Sequence, residues 1–442
     1  MASSFLRGLI MAAALGSLPL QAGEAPLFRD FVGLCGHTVG FKPALYAPVC
    51  RWVRDYHPMK WDLAGDTAVL PPWPEAKNRV SWEQVYGSWH AAGLHTSACL
   101  MFDEMGKDWK SMANDAGAYA KAFAQNFGPG GRWPFVECVE LGNEPGQYSD
   151  PDYRMIFEAM AKGIRVGNPA LKIATCNVEA KPSDRYWKGA DSLQGLEGLY
   201  DVLQIHRYAL AEGWPTWRRS YPEDPKVPYL SSVQDLLDWR DAHAATKPVW
   251  VTEFGWDTTT KKPDPKTEFA KWQPSSDEQQ AQWIVRSYFL FARMGVAKSF
   301  LYFFNDKDEP KLHAGSGLTR NYQPKPAYYA VAWMLKSLAN YRFSRAIKES
   351  LEDGYDYEFT PEKSGEPIVR ALWHPTKTTQ AVVNLDEGIT MSGASRMPLS
   401  EGDDKTILSI KGMDGIYHVE IGERPLLIQL QSWGRKVDIQ RK

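Results

Sequence analysis

Eight short apolar stretches recur along the first three quarters of the chain, at 31–37, 48–55, 94–101, 135–142, 171–176, 201–206, 248–252 and 299–304. Most are separated by segments with helical spacing of apolar residues, such as 82–93, 112–127 and 233–244. Strands that alternate with helices over about 310 residues predict a (β/α)8 barrel. The competing architecture is an open doubly wound sheet. It would show a glycine-rich phosphate loop after its first strand, and none is present. Two helix starts can be read in detail. Asp150-Pro151 is expected as N-cap and first helical residue, and Ser275 to Glu278 as a capping box.

Beyond about residue 340 the periodicity changes to that of strands. Candidate strands lie at 355–359, 368–373, 379–385, 406–410, 415–421 and 426–430, with turn signals at Asp353-Gly354 and Asp414-Gly415. The expected organisation is a barrel over 23–340 and a small all-β, sandwich-like domain over 341–442. Residues 1–22 read as a secretory signal peptide. Arg7 supplies the positive charge, 9–20 the apolar run, and Leu20-Gln21-Ala22 a small-residue cleavage pattern. The chain is therefore expected to be secreted or periplasmic. Absence of any Asn-x-Ser/Thr sequon favours a bacterial source. With 51 basic and 53 acidic residues interspersed, nothing points to nucleic acid or an anionic membrane as partner. No later segment reads as a membrane span. The five cysteines form no CxxC pair and read as small buried apolar residues.

Two of the eight stretches end in an acid. Val139-Glu140-Leu141-Gly142-Asn143-Glu144-Pro145 closes the fourth, and Val249-Trp250-Val251-Thr252-Glu253-Phe254-Gly255-Trp256 the seventh. In a barrel both would reach the C-terminal mouth, where chemistry resides. Two carboxyl groups facing one another are the minimum set for glycoside hydrolysis, one to protonate the leaving oxygen and one to attack or to activate water. Glu144 and Glu253 are the candidate pair. A metal-dependent barrel is not expected, because His37 and His57 lack a histidine at i+2 or i+4. No cofactor is implied.

The two motifs, on these two strands, resemble clan A of the retaining glycoside hydrolases. Within it the likeness is to family 39 and family 5-type members, over roughly residues 30–340. The Trp52-Val53-Arg54-Asp55 segment and the Lys325-Pro326-Ala327-Tyr328 helix start contribute to the likeness. The resemblance implies a β-linked oligo- or polysaccharide substrate, Glu144 as general acid/base and Glu253 as nucleophile. It further implies Asn143 on the sugar hydroxyl beside the anomeric carbon and Tyr208 of His206-Arg207-Tyr208 donating to the nucleophile. Arg54 would pair with the nucleophile, while Arg51 better suits an ion pair with Glu140 lower in the barrel. His37, Asn177 and His206 are further substrate contacts, and Trp256 and Trp214 candidate stacking platforms. The sequence departs from the clan at the end of strand eight, where Phe303-Phe304 stands in place of the usual Trp. Two other activities share this frame: a non-catalytic polysaccharide-binding or assembly barrel, and a transglycosylase using the same site.

Overall fold

In the computed structural model, residues 24–403 and 412–432 are described, apart from 37–39, 41, 64, 107, 183, 185 and 414. Eight parallel strands form the barrel: β1 Val32–Cys35, β2 Trp52–Pro58, β3 His95–Met101, β4 Val136–Leu141, β5 Lys172–Glu179, β6 Val202–His206, β7 Val249–Phe254 and β8 Lys298–Leu301. Each pairs in parallel with its sequence neighbour, and β1 also pairs with β8, closing the ring. The strands are largely buried on both faces because one face meets the helices and the other the barrel interior. Outer helices include Trp82–Ala91, Met112–Phe127, Asp150–Gly167, Leu230–His243, Asp277–Arg293 and Pro326–Leu338. Among the described residues the β5–β6 connection holds a short 3-10 turn, Ala190–Leu193, where an ideal barrel has an α-helix.

Both helix starts are shifted by one residue from expectation. Ser149, not Asp150, caps its helix, accepting from the Asp152 amide. The capping box is Ser276 with Gln279 rather than Ser275 with Glu278. At the second helix both Ser275 with Glu278 and Ser276 with Gln279 fit a hydroxyl followed three residues on by an acid or amide, so sequence alone cannot choose. β2 begins at Trp52 and runs on to Pro58, which puts Arg54 within the strand rather than at its end.

Residues 341–432 add two antiparallel sheets. β9 Tyr341–Ser350, β10 Gly354–Pro361, β11 Ile368–Trp373, β12 Thr379–Asn384, β13 Ile389–Arg396, β14 Gly412–Met413, β15 Ile416–Ile421 and β16 Leu426–Ser432 are ordered β9-β10-β11-β16-β13 and β12-β15-β14. The strand expected at 406–410 lies outside the described residues. Leu372, Val383, Val419 and Ile428 pack between the two sheets. The opposite face of the larger sheet packs on the barrel: Phe359 meets Phe28 and Phe289, and Trp373 meets Phe289. All five cysteines are buried and unpaired.

Candidate active site

Side chains alternate across a strand. Trp52 on β2, Cys138 on β4 and Trp250 on β7 belong to the apolar cluster inside the barrel. Two residues further along, Arg54 and Glu140 face the same interior. β7 breaks the rule. Val251 belongs to the outer core, and strict alternation would send Glu253 outward with it. The pairing register slips between Ile205 and His206 and again between Val251 and Phe254. Irregularities of this kind re-aim a side chain, and Glu253 faces inward at 6% exposure.

Glu144 reaches the same space by a turn. β4 ends at Leu141, and Gly142 adopts φ 88°, a conformation open to glycine at little cost. A Cβ at Gly142 would also lie 2.9 Å from the Phe102 ring. The turn delivers Asn143 and Glu144 to the rim, where the Asn143 carbonyl accepts from the Asn177 amide at 3.1 Å.

Glu253 is held by three donors. Its Oε1 accepts from Arg54 Nη1 at 2.8 Å and from the Tyr56 hydroxyl at 2.6 Å, and its Oε2 from the Tyr208 hydroxyl at 2.8 Å. Burial alone would push its pKa up. His206, Arg54 and the two tyrosine hydroxyls outweigh burial and hold the carboxyl well below the usual carboxylate range.

Arg54 serves two carboxylates. Its Nε and Nη2 bind Glu140 at 2.6 and 2.7 Å, Nη1 binds Glu253, and Nη2 also reaches Asn143 Oδ1 at 2.8 Å. The pair with Glu140, for which Arg51 looked the better suited, is made by Arg54, and Arg51 is exposed. Because arginine only donates, Asn143 must turn its oxygen toward Arg54. Its amide hydrogens are then turned away from Arg54.

His206 bridges the pair. Its Nδ1 lies 2.9 Å from Glu144 Oε1 and 3.7 Å from Glu253 Oε2, and its Nε2 3.4 Å from Arg54 Nη2. Burial favours the neutral ring. The Glu253 charge and the Glu144 hydrogen bond override it and raise the pKa above the ordinary value. Arg54 donates to Nε2, which in the neutral ring places the proton on Nδ1, facing Glu144. An oxygen of Glu144, a ring nitrogen of His206 and an oxygen of Glu253 all lie within 4.8 Å of one another. That triad has the donor set of a cation site. However, Glu253 already accepts from a guanidinium and two hydroxyls, and Arg54 brings a positive charge within 2.8 Å. A second cation would meet direct repulsion.

The other candidates separate clearly. Asn177 is fully buried, and its oxygen accepts from the His206 amide at 2.8 Å. It braces His206 rather than facing the cleft. Trp256 is also fully buried: its Nε1 donates to the Ser220 carbonyl, and its ring packs on Tyr229 and Trp283. This corrects the stacking-platform reading, because no face of the ring is open to a sugar. Trp214 is 75% exposed. His37 lies outside the described residues. His57 is a satisfied core histidine, bonded to Tyr86 and Asp62.

Sequence reasoning passes over three groups. Tyr56 is two residues after Arg54 on the same strand, and alternation would have found it. Tyr302, just past β8, is half-buried beside Tyr208 and His313, whereas Phe303 and Phe304 are buried, Phe304 stacked on Tyr46. The aromatic at the mouth is therefore Tyr302. Asp103, after β3, is pushed up to about 6, by burial first and then by the charges of Glu140 and Glu144. No local pattern marks it.

Comparison with solved structures shows what the fold is like. A family 39 glycoside hydrolase from Bacteroides cellulosilyticus superposes with a TM-score of 0.67 at 16% identity, covering 90% of this chain and 80% of that one. A glucosidase from Croceicoccus marinus gives 0.64 at 12% identity, covering 93% and 98%. A family 30 endoxylanase from Clostridium papyrosolvens gives 0.56 at 12% identity, with the same coverage. The barrel with its trailing β-domain is thus the fold of known glycoside hydrolases. No family model and no curated protein matches the sequence. Among the described residues no helix is long and apolar enough to cross a membrane.

Proposed function

We propose that this protein is an exported, retaining glycoside hydrolase acting on a β-linked oligo- or polysaccharide, with Glu253 as nucleophile and Glu144 as general acid/base. The observation that carries the reading is the pairing of a carboxylate kept ionised by three donors with a second carboxyl group whose oxygen lies within 4.8 Å. Retaining enzymes hold their two carboxyls about 5–5.5 Å apart, whereas inverting enzymes need roughly 6.5–9.5 Å to admit a water. The spacing here fits direct attack.

In the first step Glu253 forms a bond to the anomeric carbon while Glu144 gives its proton to the departing glycosidic oxygen. His206 Nδ1 engages Glu144 Oε1, leaving Oε2 to carry that proton. In the second step Glu144 takes a proton from water, which attacks the same carbon and frees Glu253. The Glu144 side chain is 31% exposed, as a group that exchanges protons with water requires. Glu253 is nearly closed off, as a nucleophile that must stay oriented requires. Fold likeness to a glucosidase and an endoxylanase agrees with a saccharide substrate. Export rests on the leader-like composition of residues 1–22.

The test is hydrolysis of a panel of aryl β-glycosides and β-linked polysaccharides by the native chain, Glu144→Gln and Glu253→Gln. Turnover is expected to fall by about 10²–10⁴ in Glu144→Gln and further in Glu253→Gln. Full activity in either variant would overturn the assignment.

A further inference from the structure

His313, on the loop after β8, adopts the left-handed backbone conformation at φ 59°. A residue with a β-carbon keeps that conformation only where its surroundings enforce it, and such residues gather at ligand sites. The surroundings here are specific. Asp257, just past β7, accepts from the Gly315 amide at 3.1 Å and from the Ser316 hydroxyl at 2.7 Å. The Tyr302 hydroxyl lies 3.5 Å from the His313 carbonyl oxygen. The loop so held carries the imidazole to the barrel mouth, where its ring meets Tyr208 edge-on at 4.8 Å and Tyr302 at 6.2 Å. The walls of the mouth surround the ring, yet solvent reaches the residue, which is exposed.

One contact decides where the ring carries its proton. Arg219 Nη2 lies 3.2 Å from His313 Nδ1. A guanidinium only donates, so Nδ1 must present its lone pair and the proton must sit on Nε2. Arg219 is itself held in place. Asp257 lies 3.0 Å from its Nη1, the Gly255 carbonyl accepts from it at 2.8 Å, and it stacks 4.5 Å over the Tyr208 ring. Burial and then the Arg219 charge lower the His313 pKa from 6.5, against the opposing charges of Asp257, Glu253 and Glu144; an uncharged ring agrees with the contact. Nε2 has no partner among the described residues. It is a donor of fixed tautomer on an exposed side chain, and it belongs to a ring packed on Tyr208, whose hydroxyl holds Glu253. We propose that His313 is a substrate-binding residue that donates from Nε2 to a hydroxyl of the sugar attacked by Glu253. The assignment rests on the function proposed above. Because Nε2 only donates here, it selects an oxygen able to accept, and gains nothing from a deoxy position or an ammonium group.

The experiment has two arms, both on the full chain near neutral pH. In the first, NMR of histidine-selectively nitrogen-labelled protein reads the ring, and His313→Gln identifies its signals by their loss. An uncharged ring with its proton on Nε2 is expected, and the Nε2 signal should shift saturably with at least one of D-glucose, D-xylose, D-galactose and D-mannose. A proton on Nδ1, a charged ring, or no shift with any of the four sugars would overturn the proposal. In the second arm kcat/KM is measured on the para-nitrophenyl β-glycosides of the same sugars. His313→Phe keeps a ring against Tyr208 and is expected to lose about tenfold, whereas His313→Gln keeps an N–H donor and should lose no more than about twofold. No loss in His313→Phe, or an equal loss in both variants, would overturn the proposal. A saturable Nε2 shift without hydrolysis by the native chain would refute the proposed reaction and leave the contact standing, so the two failures are distinct.

Discussion

Arg54 is the residue on which the centre depends, because one buried guanidinium answers both Glu140 and Glu253. Removing one partner of a buried ion pair typically costs about 3–5 kcal/mol. Arg54→Met should therefore lower the melting temperature sharply and abolish turnover together, which thermal denaturation and a hydrolysis assay check in parallel. Tyr208 offers a subtler test. Its hydroxyl helps hold the Glu253 pKa down, so Tyr208→Phe lets that pKa rise toward the ordinary range. The ionised form is then lost at a higher pH as acid is added. The acidic limb of the kcat/KM profile should move to higher pH, with the native melting temperature nearly kept. An unmoved limb would show that Tyr208 does not tune the nucleophile. Glu144 and Glu253 were legible in the sequence because each follows an apolar run. The inward turn of Glu253 was not, since it depends on a register slip that residue types do not encode.

Loops and strand ends account for most differences between sequence and structure. The long connections after β2, β6 and β7 were visible as gaps in the apolar rhythm. The one after β8, which carries Tyr302 and His313, was hidden by an aromatic run read as more strand. Of the two tryptophans read as stacking candidates, Trp214, on the loop after β6, is the one that is exposed. If it stacks on substrate, Trp214→Ala should raise KM several-fold and leave kcat unchanged in steady-state kinetics. At the other end of the barrel Lys298 opens β8, 4.0 Å from the ring of Trp52 and 5.5 Å from that of Trp250. Burial pushes its pKa down to about 7 from 10.5. The unfolded chain then binds the extra proton between those values, so this group makes stability rise as pH increases from about 7 to about 10.5. Lys298→Met should flatten that part of the melting-temperature profile and raise stability most near neutral pH. A profile identical to the native one would show the lysine to be charged in the fold.

The whole molecule is a barrel that shares its outer core with the β-domain. Phe28 and Phe289 of the barrel meet Phe359 and Trp373, and the Trp373 indole donates to Glu223, which also binds Arg286. Truncation after residue 340 would expose that apolar face and strip Glu223 of a buried partner, so the shortened chain should aggregate, as light scattering would detect. A soluble, active barrel would show the β-domain to be dispensable. The barrel was legible from its strand rhythm because apolar strands buried on both faces are hard to disguise. β9 and β13 were not, because Tyr341–Ser350 is largely exposed and Ile389–Arg396 mixes small and polar residues. The re-aimed Glu253 and the turned Glu144 underlie the central proposal, that a sugar is carried covalently on Glu253. Incubating the intact protein with an activated 2-deoxy-2-fluoro glycoside of a sugar it hydrolyses, then mapping the labelled peptide by mass spectrometry, tests this directly. One added glycosyl unit per chain, on Glu253, is expected; a label on any other residue, or continued turnover with no label formed, would rule out Glu253 as the nucleophile.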